Sequence, residues 1–240
     1  MSPQPNVPNP LTKYTMTTPT NIPINFTLDT ICPWTYLAKR RLTKALSLLL
    51  PTPTTFTTIY KPYQLYPSAS QAGEDKYVWY KTMRYGDSDE KMNMYTSLMS
   101  SYGAAEGIKY KFGGVVANTL HAHRCIGHWQ EVKGAEVVDR FVESLYRQYF
   151  EEERHPSSHE TLVRAAVEAG VDEGEARAFV EDEEEGLMET KMAIREQAGN
   201  QVDSVPYIVI EGKRRDYTIE GCREVDEYVA TLKRVIKESS

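Results

Sequence analysis

Strand-type sequence stands at both ends of this 240-residue chain and is missing from its middle. Ile24-Asn25-Phe26-Thr27-Leu28 alternates apolar and polar residues, the two-residue period of a half-buried strand. Pro33 then opens a helical stretch to about Leu50, a favourable first helical residue because its missing amide hydrogen has no partner there anyway. Leu37, Leu42, Leu46 and Leu49 form its apolar stripe, and Lys39, Arg40 and Arg41 are expected to face outward. Pro51 and Pro53 stop the helix, and Thr54–Tyr60, rich in β-branched and aromatic residues, reads as a second strand. Strand, helix and strand in succession imply a parallel pair. For about 130 residues the periodicity is helical instead, with segments near 74–85, 88–106, 117–132, 135–152, 159–169, 173–181 and 184–198 punctuated by glycines. The β pattern returns at Val205–Ile210 and Tyr217–Ile219, and an amphipathic helix carrying Val225, Tyr228, Val229, Leu232 and Val235 follows Gly221. The expected organisation is one α/β domain built from residues 22–62 and 200–240 and interrupted by an all-helical insertion, 63–199. A Pro/Thr-rich lead, residues 1–21, has little apolar surface to bury and is expected to be disordered.

Charge and cysteine content remove several classes of function. Residues 1–100 carry ten Lys/Arg against six Asp/Glu, and residues 101–240 carry eighteen against twenty-eight. An acidic majority of this kind does not suit nucleic acid, which needs a clustered basic surface. Apolar runs fall far short of the ~20 residues that span a bilayer, so no membrane partner is expected. Cys32, Cys125 and Cys222 are odd in number and far apart, unlike a secreted disulfide framework, and the first residues lack the apolar core of a signal peptide. The expectation is a cytoplasmic protein. Glu181–Glu185, a run of carboxylates without accompanying His or Cys, reads as a solvated helix junction rather than a metal site.

Cys32 lies between a strand end and a helix start, where unpaired amide hydrogens and the helix dipole favour a thiolate. Such placement brings cysteine pKa values to roughly 3.5–7.5 and makes a nucleophile near neutral pH. The alternative is a small buried apolar residue, which describes most free cysteines.

The segment from Thr30 to Arg41, Thr-Ile-Cys-Pro-Trp-Thr-Tyr-Leu-Ala-Lys-Arg-Arg, resembles the active-site segment of DsbA-like thioredoxin-fold proteins, in particular the FrnE-like branch. Thr119-Leu-His-Ala-His-Arg124, the aromatic run to Phe150, Ser204–Ile210 and Ile219-Glu-Gly221 resemble that branch in order and spacing, over about residues 23–237. The resemblance implies a thioredoxin fold with a helical insertion and a cis peptide bond before Pro206, facing Cys32. One departure bears on mechanism: the second active-site cysteine of the branch is replaced by Thr35. A dithiol enzyme resolves its mixed disulfide with that second thiol, which a hydroxyl cannot do. Related kappa-class glutathione transferases and 2-hydroxychromene-2-carboxylate isomerases use glutathione with a hydroxyl residue and no dithiol pair, so glutathione is the implied cofactor and no metal is expected.

The resulting expectation is a thiol-dependent enzyme, monothiol or glutathione-assisted, that isomerises, cyclises or adds to a small organic substrate. Cys32 is its thiolate, and Thr35 donates a hydrogen bond to the reacting sulfur. Val205 offers its backbone to an extended ligand beside Pro206. Trp34 and Tyr36 form the cleft floor; Asn118 and His121, three apart on one helical face, line it, with His121 as general acid/base. His121 is alternatively an ordinary polar helix residue. A protein thiol–disulfide oxidoreductase using Cys32 alone is the second reading, and a non-catalytic binding protein on a decayed redox fold the third. Cys222, at another helix start, is either a resolving thiol or a packing residue. His121, Cys125 and His128 share a helix face but lack a fourth metal ligand. Nine of the sixteen tyrosines lie between Tyr60 and Tyr110, either as amphipathic packing or as the walls of an aromatic cleft. A homodimer is left open.

Overall fold

The computed structural model describes residues 20–49 and 54–239, so the expected N-terminal lead falls almost wholly outside the described residues, as do Pro51 and Pro53. Strand β1 (Thr20–Leu28) begins four residues ahead of the expected Ile24 and leads into α1 (Pro33–Ser47) and β2 (Thr54–Pro62). After the insertion come β5 (Tyr207–Glu211), β6 (Asp216–Glu220) and α9 (Val225–Ser239). The four strands form one sheet in the order β2-β1-β5-β6, with β1 parallel to β2 and the other pairs antiparallel. Central β1 buries Ile22, Ile24, Phe26 and Leu28 on alternate positions, as its period demands. α1 and α9 pack against each other.

The insertion holds β3 (Glu74–Asp75), α2 (Lys76–Tyr85), α3 (Asp89–Ala105), β4 (Val115–Val116), α4 (Leu120–Lys133), α5 (Ala135–Phe150), α6 (His159–Ala169), α7 (Glu173–Glu181) and α8 (Leu187–Gly199). Every expected helix is present. The β3–β4 ladder, two residues a side, is the departure from an all-helical insertion and is too short to leave a periodic trace. Helix starts follow from local chemistry: the side chains of Asp75, Ser88, Ser158 and Asp172 each accept an otherwise unpaired first-turn amide. α4 and α8 lie against β2, and Thr27 of β1 donates to Gln197 of α8 at 3.2 Å.

Two of the three residues in the basic run of α1 do not face solvent. Lys39 and Arg41 are each 5% exposed. Lys39 pairs with Asp139 and Glu143 of α5 at 3.2 Å, and Arg40 with Glu143 at 2.6 Å. Arg41 pairs with Glu106 at 3.2 Å and Glu224 at 2.9 Å. The insertion covers this face of α1, and buried charge is tolerated only where it is paired.

The carboxylate run at the α7–α8 junction points its side chains outward, as expected of a solvated turn. Its backbone does something else. The guanidinium of buried Arg124 donates from Nη1 to the carbonyls of Phe179, Asp182 and Glu185 and from Nη2 to that of Val180, at 2.8–3.1 Å. It also lies over the Phe179 ring, 4.4 Å from its centroid. Carbonyls left over at the end of α7 find their donors here.

Candidate active site

The turn between β1 and α1 is closed by the Cys32 amide on the Asp29 carbonyl at 3.0 Å. Cys32 is the N-cap of α1, extended in backbone, and its carbonyl accepts from the amides of Thr35 and Tyr36. Its Sγ lies 3.7 Å from the carbonyl oxygen of Val205. The Val205–Pro206 bond is cis, as the family resemblance implied, and Pro206 is tied to the far strand by the Gly221 amide on its carbonyl at 2.9 Å.

Helix placement alone suggested a thiolate. The structure gives the opposite ground state: only 4% exposed, the Cys32 thiol is pushed up to about 12, chiefly by burial and further by the Asp29 carboxylate. The amides of Thr35 and Trp34 pull it down, but by less. Thr35 is fully buried, and its hydroxyl faces the carbonyls of Asp29 at 2.9 Å and Cys32 at 2.8 Å. A hydroxyl has one proton to give, so Thr35 is occupied in holding the turn. Its help to the sulfur is the weakest among the groups that favour the thiolate.

Beneath this turn lies a pair that the sequence did not point to. Asp29 Oδ1 and His123 Nε2 are 3.4 Å apart, and both side chains are almost fully buried. Asp29 Oδ2 accepts the Leu65 amide at 2.7 Å, whereas Oδ1 and both ring nitrogens of His123 have no hydrogen-bond partner. The available signal was spacing: His123 stands three residues before buried Ile126 on the inner side of α4, where an imidazole needs a polar partner.

His121, two residues earlier, points elsewhere, because two helical residues turn about 200°. Its Nε2 is 3.8 Å from Glu183 at the α7–α8 junction, where His159 also pairs with Glu183. Burial lowers its pKa. Asn118 is likewise taken up: its side chain donates to the Pro67 carbonyl and accepts from Gln64 and from the Leu120 amide, and so pins the loop after β2. Tyr36 forms no cleft floor. Its ring is buried between Tyr146 and Phe150, and its hydroxyl donates to Glu151 at 2.7 Å. Trp34 is half-buried against Tyr102, with ring centroids 5.7 Å apart. Cys125 is buried, Cys222 sits 3.7 Å from Arg41, His128 stacks on Phe179, and all three cysteines are free thiols. Among the described residues no three His, Cys, Asp or Glu side chains converge as a metal site.

The tyrosines divide. Tyr63, Tyr66, Tyr80, Tyr95, Tyr110 and Tyr146 lie within electrostatic range of Cys32, and the Tyr110 hydroxyl donates to the Pro33 carbonyl at 2.7 Å. Tyr66 also borders a groove of about 390 Å³ lined by Leu65, Pro67, Trp79, Met83 and Arg84. Lys76 lies deeper, its ammonium 3.3 Å from the Tyr149 carbonyl and 4.2 Å from that ring's centroid.

A strand-ending cysteine at a helix N-cap, faced by a cis-proline loop on a β2-β1-β5-β6 sheet, defines a thioredoxin-fold thiol site. The chain belongs to the DSBA-like thioredoxin domain family, which it matches over residues 23–233. No curated protein sequence matches it. The structure of a "probable DsbA oxidoreductase" from Streptomyces coelicolor superposes with a TM-score of 0.79 at 25% identity, covering 91% of this chain and 92% of that one. The cytosolic disulfide reductase DsbM from Pseudomonas aeruginosa, solved with glutathione, shares the fold at a TM-score of 0.58 and 14% identity, over 90% and 99% of the chains. A 2-hydroxychromene-2-carboxylate isomerase shares it at 0.63 and 13%, over 90% and 96%. Among the described residues no helix is long and apolar enough to cross a membrane.

Proposed function

We propose that this protein is a monothiol enzyme in which Cys32 is the reacting sulfur, glutathione the second thiol, and a small aromatic or otherwise planar organic molecule the substrate. The observation that carries the reading is Cys32 Sγ against the Val205 carbonyl, with a hydroxyl residue at position 35 that is already committed to two backbone carbonyls. Thr35 therefore neither resolves a disulfide nor offers a free donor to a glutathione thiolate, which leaves Cys32 as the nucleophile. Attack of the Cys32 thiolate on a disulfide forms one S–S bond and expels one thiolate; a glutathione thiolate then attacks that bond, and Cys32 is regenerated. With an electrophilic carbon, addition of the thiolate and its later elimination return the sulfur unchanged and permit isomerisation. The Tyr66–Trp79 groove suits a flat ligand, and Val205 suits an extended peptide-like backbone such as that of glutathione.

Calorimetry with glutathione tests the cofactor: binding in the millimolar range or tighter is expected, and full activity without glutathione or any other added thiol would remove it. The second reading, a protein thiol–disulfide oxidoreductase acting through Cys32, draws on membership in the DsbA-like family. Robust insulin reduction abolished by Cys32→Ser, with no turnover of small electrophiles, would establish it instead.

A further inference from the structure

The most unusual buried group near Cys32 is the one that the proposed chemistry leaves unused. Asp29 and His123 meet at 3.4 Å in a site almost closed to water, and neither the imidazole nor the facing carboxylate oxygen has a hydrogen-bond partner. His123 comes from α4 of the insertion and Asp29 from the turn that carries Cys32, so the contact ties insertion to nucleophile. A lone buried carboxylate is costly, and this one opposes negative charge on the neighbouring sulfur. His123 is the one basic side chain in contact with Asp29 among the described residues. The other titratable groups facing Cys32 or Asp29 are phenols: Tyr63 and Tyr66 after β2, Tyr80 on α2, Tyr95 on α3, Tyr110 before β4, and Tyr146 and Tyr149 on α5. Burial raises the pKa of each, so they hold their protons and add no charge.

We propose that Asp29 and His123 form one proton-holding unit that sets when Cys32 ionises. While the pair keeps a single proton between carboxylate and imidazole it is neutral overall, and the sulfur can bear negative charge. Once that proton is lost, the bare carboxylate repels the thiolate. His123 and Asp29 are positioning residues: they act through Cys32 and touch no substrate. This inference rests on Cys32 being the reacting sulfur, yet its test does not need turnover.

The test is the pH profile of iodoacetamide alkylation at Cys32, followed peptide by peptide so that Cys125 and Cys222 are read separately. In the full-length chain, Asp29→Asn keeps an acceptor for the Leu65 amide and removes the charge. It is expected to speed alkylation at pH 8 about tenfold, one pKa unit. His123→Gln leaves the carboxylate uncompensated and is expected to slow alkylation by a similar factor. Opposite shifts support the unit whether or not glutathione-dependent activity is found. Shifts of the same sign, or none, overturn it, since damage to packing alone exposes the thiol in both variants. Should either variant fail to fold, NMR titration of the His123 ring in the wild-type protein decides: its midpoint must differ between free and alkylated Cys32, and an unchanged midpoint overturns the proposal.

Discussion

His123 and Arg124 are consecutive residues on α4, both buried, and the protein treats them in opposite ways. Arg124 turns its two terminal nitrogens into a cage of four carbonyls and lies on an aromatic face. His123 turns to a single carboxylate and leaves both ring nitrogens without a hydrogen bond. A buried cation that donates to four carbonyls fixes structure, because nothing nearby gains from a change in its state. A buried imidazole with unused hydrogen-bonding capacity, facing the carboxylate of the turn that carries Cys32, sits where a proton can matter. One helix thus supplies both a clamp for the α7–α8 junction and a partner for the Asp29 carboxylate.

The largest effect bears on the His123 side of this contrast. Cys32→Ser should lower glutathione-dependent kcat/KM at least a thousandfold, about 4 kcal/mol of transition-state stabilisation, while the unfolding midpoint in urea stays nearly constant. Retained activity would leave His123 nothing to tune. Next in size is the clamp. Arg124→Met orphans four carbonyls and should cost about 3–5 kcal/mol in urea unfolding, with the Cys32 alkylation profile unchanged once the protein is folded. A profile that moves with Arg124 as it moves with His123 would break the comparison.

Lys76 offers a third kind of buried cation, a lone amine whose pKa burial lowers from 10.5 to about 8. Between those values the unfolded chain binds the proton and the folded chain does not, so this residue's contribution to stability rises with pH across the window. Its penalty is complete below pH 8. Lys76→Met should therefore exceed wild type by up to about 3 kcal/mol near pH 7, and the gap should close towards pH 10.5. Denaturant midpoints compared pairwise at each pH cancel the buried thiols and phenols, whose raised pKa values make the folded state lose stability above about pH 9. The smallest effect is at Tyr110. Removing its hydroxyl with Phe takes one hydrogen bond from the Pro33 carbonyl and should cost about 1 kcal/mol in the same assay.

Much of the architecture was legible because it is written locally. Alternation marked β1, and helical periodicity punctuated by glycines, among them helix-ending Gly86 and Gly170, both left-handed, marked the insertion. The cis bond before Pro206 was legible only through the family resemblance, whereas Cys32 also stood out by its place between a strand end and a helix start. The misreadings share a cause: each depended on a partner distant in sequence. Lys39 looked like a surface residue because Asp139 and Glu143 lie a hundred positions away. His121 was singled out over His123 because the 3.6-residue period gives relative faces but not which face turns inward; Asp29, ninety-four residues earlier, settles that. The thiol was expected to be acidic because the helix start is visible in sequence, whereas the tyrosines and the carboxylate that bury and oppose it assemble only in three dimensions.

The 3.7 Å contact between Cys32 Sγ and the Val205 carbonyl has a consequence for where a guest can sit. A carbonyl oxygen has two lone pairs, so the one that holds the Cys32 sulfhydryl keeps a second acceptor position beside the cis bond. On the proposed function, a guest that pairs its own N–H there is seated next to the sulfur: one oxygen is at once the thiol's mooring and the guest's.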